Sequence, residues 1–302
     1  MSNDTNKILT IDEKLEICRI TKRFSSESLT TVFNELFTSE KPISEAQIRD
    51  KWLNNLRLNS SFFPEGWYSP PPYGISVLIG KNGQKNRTNF KSLRPEEMWS
   101  KPDINLDKKN SILACYASPV DKQTGIIGDF GLTLYFGKDP KIIKHLRTCY
   151  EIYKNIFNFI EVGKKFSEVY QYTQKQIKKN GLKSDLSSPS DPTGTNIGHS
   201  IPGVYDNWSK EEIKTLLVGD KDWNAIKNMI SKKRTFVNSQ EDTKYQPGMA
   251  VTLEPRPYSD DDPNIPMVWF HTTILIKPDG SKEALTYFED LFKIVGMNYM
   301  LF

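Results

Sequence analysis

Cysteine and histidine are scarce in this chain of 302 residues, with three of each. Cys18, Cys115 and Cys149 are odd in number and widely spaced, so neither a disulfide framework nor a paired-cysteine zinc site is encoded, and a reducing compartment is expected. No window approaches the roughly 18 uninterrupted apolar residues of a membrane-crossing helix. The opening Met1 to Lys7 also lacks the basic-then-apolar pattern of an export signal. A cytoplasmic protein without membrane attachment is the expectation. A concentrated basic footprint is missing too: 41 basic against 37 acidic side chains leave +4, which offers a phosphate backbone little to grip, so no nucleic-acid partner is expected. Core-forming mass is abundant, with 16 Phe, 13 Tyr and 6 Trp, too many for a disordered chain. A chain of this length buries roughly three quarters of its unfolded surface without covalent staples.

The apolar positions Leu15, Ile17, Ile20, Phe24, Leu29, Val32, Phe33, Leu36 and Phe37 recur near helical spacing and predict a helix from Ile11 to about Phe37. Ser44 followed by Gln47 has the form of a capping box, which opens a second helix carrying Trp52 and Leu53. After the turn-rich stretch from Phe62 to Tyr73, the alternation Ile75, Val77, Ile79 predicts a strand running into a turn from Gly80 to Gly83, then an irregular loop to Met98. Ile112 to Val120 and Gly125 to Gly137, separated by Asp121 to Thr124, read as two antiparallel strands joined by a hairpin. Pro140 to Lys179 predicts two helices that break near Gly163. Gly181 to Gly203 shifts to Ser, Pro, Asp, Thr and Gly and reads as loop, and Trp208 to Phe236 reads as partly helical. Gly248 to Pro255 and Met267 to Lys277 read as closing strands, the latter followed by the Pro278-Asp279-Gly280 turn. The simplest architecture is one α+β domain spanning 1–302.

With three histidines, each can be weighed singly. His145, inside a helix between Lys144 and Leu146, is expected to be solvated or half-buried and without a special role. His199 lies among Gly198, Ser200, Ile201, Pro202 and Gly203, where glycines permit close backbone approach, and a ligand role is favoured there. His271, alternating with Phe270 and Thr272, is by itself a packed strand histidine. Asp129, between Gly128 and Phe130, and Glu254, between Leu253 and Pro255, are carboxylates inside apolar strands, where an unpaired charge is costly. A strand-end turn or helix cap accounts for each alone, whereas coordination of one metal with His199 satisfies all three at once.

Three segments carry a resemblance that no one of them carries alone: Gly198-His199-Ser200-Ile201-Pro202-Gly203, Gln246 to Pro255 with its Gly-Met and Glu-Pro steps, and His271-Thr272-Thr273 through Pro278-Asp279-Gly280 to Leu285-Thr286. In this order they resemble the superfamily of methionine aminopeptidases, Xaa-Pro peptidases, prolidases and creatinases. The resemblance implies the pita-bread fold, a curved and mostly antiparallel sheet covered by helices. It further implies a site where two aspartates, a histidine and two glutamates hold two metals. Asp129, His199 and Glu254 match three of those ligands. The other two positions fall on Ser118 and Phe270, and the family's second histidine falls on Asp206. Asp121 reaches the place of Ser118 only by a shift of the hairpin register. Loss of a bridging carboxylate leaves metal–metal repulsion uncompensated, so the matching residues imply a mononuclear site.

The resemblance therefore implies a divergent metalloenzyme with one divalent ion, Fe(II), Mn(II) or Zn(II), at Asp129, His199 and Glu254. Its reaction would be hydrolysis or non-haem iron oxygen chemistry on a small amino-acid-like or peptide-like substrate. His271 and Asp206 are the candidate catalytic side chains; Tyr205, Phe270 and Ser118 are candidates to contact substrate. A homodimer is compatible with the same resemblance. The competing expectation is a pseudopeptidase that serves as a protein-binding module. The interval from His199 to Glu254 contains Trp208, Trp223 and the run Lys232-Lys233-Arg234, and makes 205–245 a lid or insertion. The charge run itself is expected to be a solvated face.

Overall fold

Helix α1 (Ile11–Thr38) buries Leu15, Cys18, Lys22, Ser25, Leu29, Val32 and Leu36, a stripe at three- and four-residue steps that turns one face inward. The computed structural model describes residues 9–38, 41–80, 85–188, 190–259, 261–262 and 265–301; the opening Met1 to Lys7 and the turn beyond Gly80 lie outside them. Helix α2 (Glu45–Arg57) begins on the expected capping box: Ser44 accepts from the Gln47 amide and Gln47 reaches back to the Ser44 amide. It lies against α1, where Trp52 Nε1 donates to the Ser25 carbonyl at 3.1 Å.

Strands β1 (Ile75–Gly80), β2 (Ile112–Ala117) and β3 (Phe130–Tyr135) form one antiparallel sheet in that order, in register from Ile75 opposite Ala117 and Ala117 opposite Phe130. The expected hairpin is present with shorter strands, because Asp121 turns the chain early: its amide donates to the Ile126 carbonyl and its carboxylate holds the Thr124 amide. Helices α3 (Pro140–Phe159) and α4 (Phe166–Lys179) break around Gly163 as expected. His145 does not stay solvated, however. It is buried, and its Nε2 lies 2.9 Å from the Pro266 carbonyl oxygen.

The segment 181–203 is only partly loop. It contains β4 (Asn196–Ser200), every residue of which is buried, so His199 stands on a strand. Gly198 has φ of +143°, and a β-carbon there would lie 1.9 Å from the Thr252 carbonyl oxygen, so close strand pairing requires glycine. Helices α5 (Lys210–Val218) and α6 (Trp223–Lys233) follow, then β5 (Phe236–Asn238), β6 (Ala250–Leu253), β7 (Thr272–Ile276), β8 (Lys282–Leu285) and α7 (Glu289–Val295). Strand β8 is an addition to the sequence reading; it follows the Pro278 to Gly280 turn and pairs with β7. The second sheet is antiparallel in the order β5-β4-β6-β7-β8.

The two sheets meet along β3. Thr133 donates its amide to the Trp269 carbonyl, His271 donates its amide to the Gly131 carbonyl, and Leu132 bridges Phe270. The irregular segment before β7 thus runs beside the first sheet, and the start of β3 comes to lie next to His271. The largest core lies between the three-stranded sheet and α1, α2, α3 and α7, and includes Leu29, Trp52, Phe130, Phe270, Phe288 and Phe292.

Candidate metal centre

Asp129 lies on the residue before β3, His199 on β4 and Glu254 on the residue after β6. All three are buried. Trp67 Nε1 donates to Asp129 Oδ1 at 2.7 Å, and Tyr116 donates its hydroxyl to the same oxygen at 3.2 Å. Asp129 Oδ2 has no hydrogen-bond partner. It faces His199 Nε2 at 3.6 Å, and the same nitrogen lies 4.0 Å from Glu254 Oε1. His199 Nδ1 lies 2.9 Å from the Ser200 carbonyl, which can only accept; the proton is therefore on Nδ1 and the Nε2 lone pair faces the two carboxylates.

Three side chains able to donate electron pairs thus converge from separate segments. Burial holds the His199 imidazole well below its ordinary pKa, aided by the charge of Arg234, so the ring is neutral. Burial likewise raises Glu254 and pushes Asp129 up to about 7, the Trp67 hydrogen bond opposing the latter. Ligand bonds of about 2.0–2.2 Å place neighbouring donors about 3–3.6 Å apart, so this set is slightly wide. Among the described residues no group of three or more His, Cys, Asp and Glu side chains has the geometry of a metal site as it stands. The donor chemistry suits a divalent cation, and the three side chains would have to draw in to hold one.

Phe270, expected at the site, packs its ring in the core against Tyr150 at 5.1 Å and Tyr153 at 5.9 Å. Ser118 Oγ is engaged by the Tyr68 amide and the Gly74 carbonyl, and packs so tightly on Gly66 and Gly74 that a β-carbon on either glycine would lie within 3 Å of it. Asp121 is tied into its turn by Thr124.

The other expected residues divide. His271 is buried with the cluster, its Nε2 3.9 Å from Glu254 Oε2. Asp206 accepts from the Gly203 amide and has Lys14 and Lys233 as charged neighbours; none of its described contacts involves the cluster. Tyr205 is exposed. It stands beside Asp206 on the turn after β4.

Three cations in the neighbourhood escaped the sequence reading. Lys22 is fully buried, donating to the Asp129 carbonyl at 2.8 Å and the His271 carbonyl at 2.7 Å, with His271 Nδ1 at 3.5 Å. Burial pulls its pKa down to about 7, against the raising influence of Asp129 and Glu254. Arg256 Nη2 lies 3.5 Å from Glu254 Oε2. Arg234 corrects the expectation of a solvated charge run: Lys232 is exposed, but Arg234 turns in and stacks on Trp67 at 4.5 Å and Phe236 at 4.8 Å. Lys22 did have a signal, since it falls on the apolar stripe of α1 between Cys18 and Ser25. Nothing in the spacing of Trp67, Tyr116 or Arg256 marks them.

Antiparallel sheets curved under helices, with a histidine and two carboxylates converging from the strands of both, define an α+β pita-bread protein of metallopeptidase type. The model of metallopeptidase family M24 matches residues 18–278, and the chain belongs to that family. No curated protein sequence matches it. Among solved structures it is similar to an X-Pro aminopeptidase from Thermotoga maritima (TM-score 0.60, 10% identity, 91% of this chain and 61% of that one). It is also similar to the prolidase from Pyrococcus horikoshii (TM-score 0.60, 14% identity, 94% of this chain and 64% of that one). The methionine aminopeptidase from Rickettsia prowazekii matches with a TM-score of 0.56 at 14% identity over 93% of this chain and 99% of that one. The chain thus spans about six tenths of the X-Pro aminopeptidase and nearly all of the methionine aminopeptidase. No described helix is long and apolar enough to cross a membrane.

Proposed function

We propose that this chain is a divergent pita-bread metalloprotein in which Asp129, His199 and Glu254 hold one divalent ion, and which acts on a small amino-acid-like or peptide-like substrate. The observation that carries this reading is the unpartnered, buried Asp129 Oδ2 facing the lone pair of His199 Nε2. Two electron pairs confronting each other in a buried site are stabilised by a cation between them. When bound, such an ion would polarise a carbonyl or lower the pKa of water. The chain's own residues do the rest. Ser200 fixes the tautomer of His199, Trp67 and Tyr116 hold one oxygen of Asp129 so that the other stays available, and Lys22 ties the Asp129 and His271 backbones together. The segment 205–245 serves as a cover, a role supported by Arg234 at the cavity wall and by the Trp208 indole donating to the Thr124 carbonyl.

A second reading, a pseudopeptidase that binds a partner protein, draws on Arg256 and His271 already lying beside Glu254. The two readings are separated by offering Fe(II), Mn(II) or Zn(II) anaerobically and measuring metal by elemental analysis. The metalloprotein reading requires about one equivalent retained after gel filtration and none in His199→Ala. Metal-free protein with unchanged behaviour in His199→Ala favours the binding module. Aminopeptidase and prolidase assays are expected to be silent with any divalent ion, and robust peptide cleavage would restore a two-ion site.

A further inference from the structure

The charge of +4 over the whole chain hides an uneven distribution. Residues 140–179, which make up α3, α4 and the break between them, hold nine basic side chains against three acidic ones, so the rest of the chain is slightly acidic. Between these two helices lies an open groove of about 630 Å³, lined by Pro140, Ile143, Lys144 and Arg147 of α3 and by Gln176 and Lys179 of α4. Lys144, Arg147 and Lys179 are exposed. The one carboxylate in the lining, Glu151, is already paired with Lys154 at 3.3 Å. Neither Lys144 nor Lys179 has an ion-pair partner among the described residues. Helix electrostatics accounts for only part of this surface. Lys178 and Lys179 complement the carbonyl end of α4, whereas α3, beyond its cap Asp139, has no acidic residue in its first turn and carries Lys141 there, the sign that a helix amino end disfavours.

We infer that this groove is a docking site for an acidic polypeptide segment, whose carboxylates are received by Lys144, Arg147 and Lys179 and whose aliphatic side chains rest on Pro140 and Ile143. The lining selects the occupant. Cations from both helices call for a partner with several negative charges. A phosphate backbone would leave the apolar surface of Pro140 and Ile143 unused, and no aromatic ring lines the groove for a base to stack on. A lipid surface engages a projecting apolar face rather than a recess between helices. Because the lysines are exposed, the attraction is screened by salt and the affinity is expected to fall as ionic strength rises. The groove shares no residue with the cluster of Asp129, His199 and Glu254, so the assignment does not rest on the ion proposed above.

The test is fluorescence anisotropy of a fluorescein-labelled, end-capped glutamate peptide interrupted by leucines, titrated with the full chain. Saturable binding is expected, at least about tenfold tighter than for the same peptide with Gln in place of Glu, about threefold tighter than with Ser in place of Leu, and tighter than for an oligothymidylate of equal charge. Lys144→Glu and Lys179→Glu should each weaken it at least about fivefold, whereas Lys210→Glu, the same change of charge at the exposed start of α5, should leave it within about twofold. Equal weakening by all three variants would reduce the effect to net charge and overturn the site. Absence of saturable binding, tighter binding of the oligothymidylate, or preference for sedimented phosphatidylserine vesicles would overturn it as well. The comparison among peptides needs no variant and decides the matter even if a substitution prevents folding. Metal content measured on the same preparations keeps the two readings apart: a chain that retains an ion but ignores the peptide loses this groove alone, and one that binds the peptide without an ion leaves the groove standing.

Discussion

The segment entering β7 has two faces, and they meet opposite surroundings. Trp269 and His271 face the cluster, where Trp269 stacks on Tyr116 at 5.2 Å. Phe270, between them, points into the main core among Tyr150, Tyr153, Phe288 and Phe292. The residue at the position that the resemblance assigns to a glutamate thus lies in the core. Lys22, Arg234 and Arg256 are the cations set near Asp129 and Glu254.

The sharpest way to break this comparison is Phe270→Glu. If the side chain belongs to the core, a carboxylate there is buried among rings and the protein should lose more than about 4 kcal/mol of stability in urea titration, with no second metal bound. Phe270→Ala should cost about 3–5 kcal/mol by cavity formation while leaving metal stoichiometry unchanged. A Phe270→Glu protein of ordinary stability that takes up two ions would show that the residue belongs to the site face after all.

The next effect in size concerns His145, buried at the edge of the same core. Burial takes its pKa from 6.5 to about 4, the hydrogen bond to Pro266 opposing. Between these values the unfolded chain binds the proton and the folded chain does not, so stability falls as pH drops from about 6.5 to 4. This contribution is at most about 3 kcal/mol and is absent above pH 7. His145→Gln should flatten that part of the stability profile, and an unchanged slope would remove His145 from the account.

Lys22→Met keeps most of the unbranched side chain but withdraws the donor to the Asp129 and His271 carbonyls. A loss of about 2 kcal/mol is expected, together with weaker metal retention because both backbones are released. Unaltered stability and retention would mean that the ammonium does not brace the site. Tyr205→Ala, on the exposed turn after β4, should change stability by less than about 0.5 kcal/mol and leave metal binding untouched.

The sequence was most legible where a pattern repeats. The stripe of α1, the Ser44 capping box, the alternation of β1 and the break around Gly163 each follow from local physics, and the structure reproduces them. Asp129, His199 and Glu254 could be singled out because polar groups in apolar strands demand partners. Alternation set Phe270 and His271 on opposite faces, as the structure does, but nothing in the sequence said which of the two faces the cluster. Arg234 was misread because a run of three basic residues at the end of α6 gives no sign that its last member turns inward, which depends on Trp67 from more than 160 positions earlier in the chain. Burial of β4 was hidden by a polar composition that only the pairing with β6 explains.

The most direct measurement is the number of divalent ions bound per chain after anaerobic loading and gel filtration, taken in parallel on the unaltered protein and on His199→Ala. One ion in the former and none in the latter is the expected result. Two ions, or none in either protein, would contradict a single cation held by Asp129, His199 and Glu254.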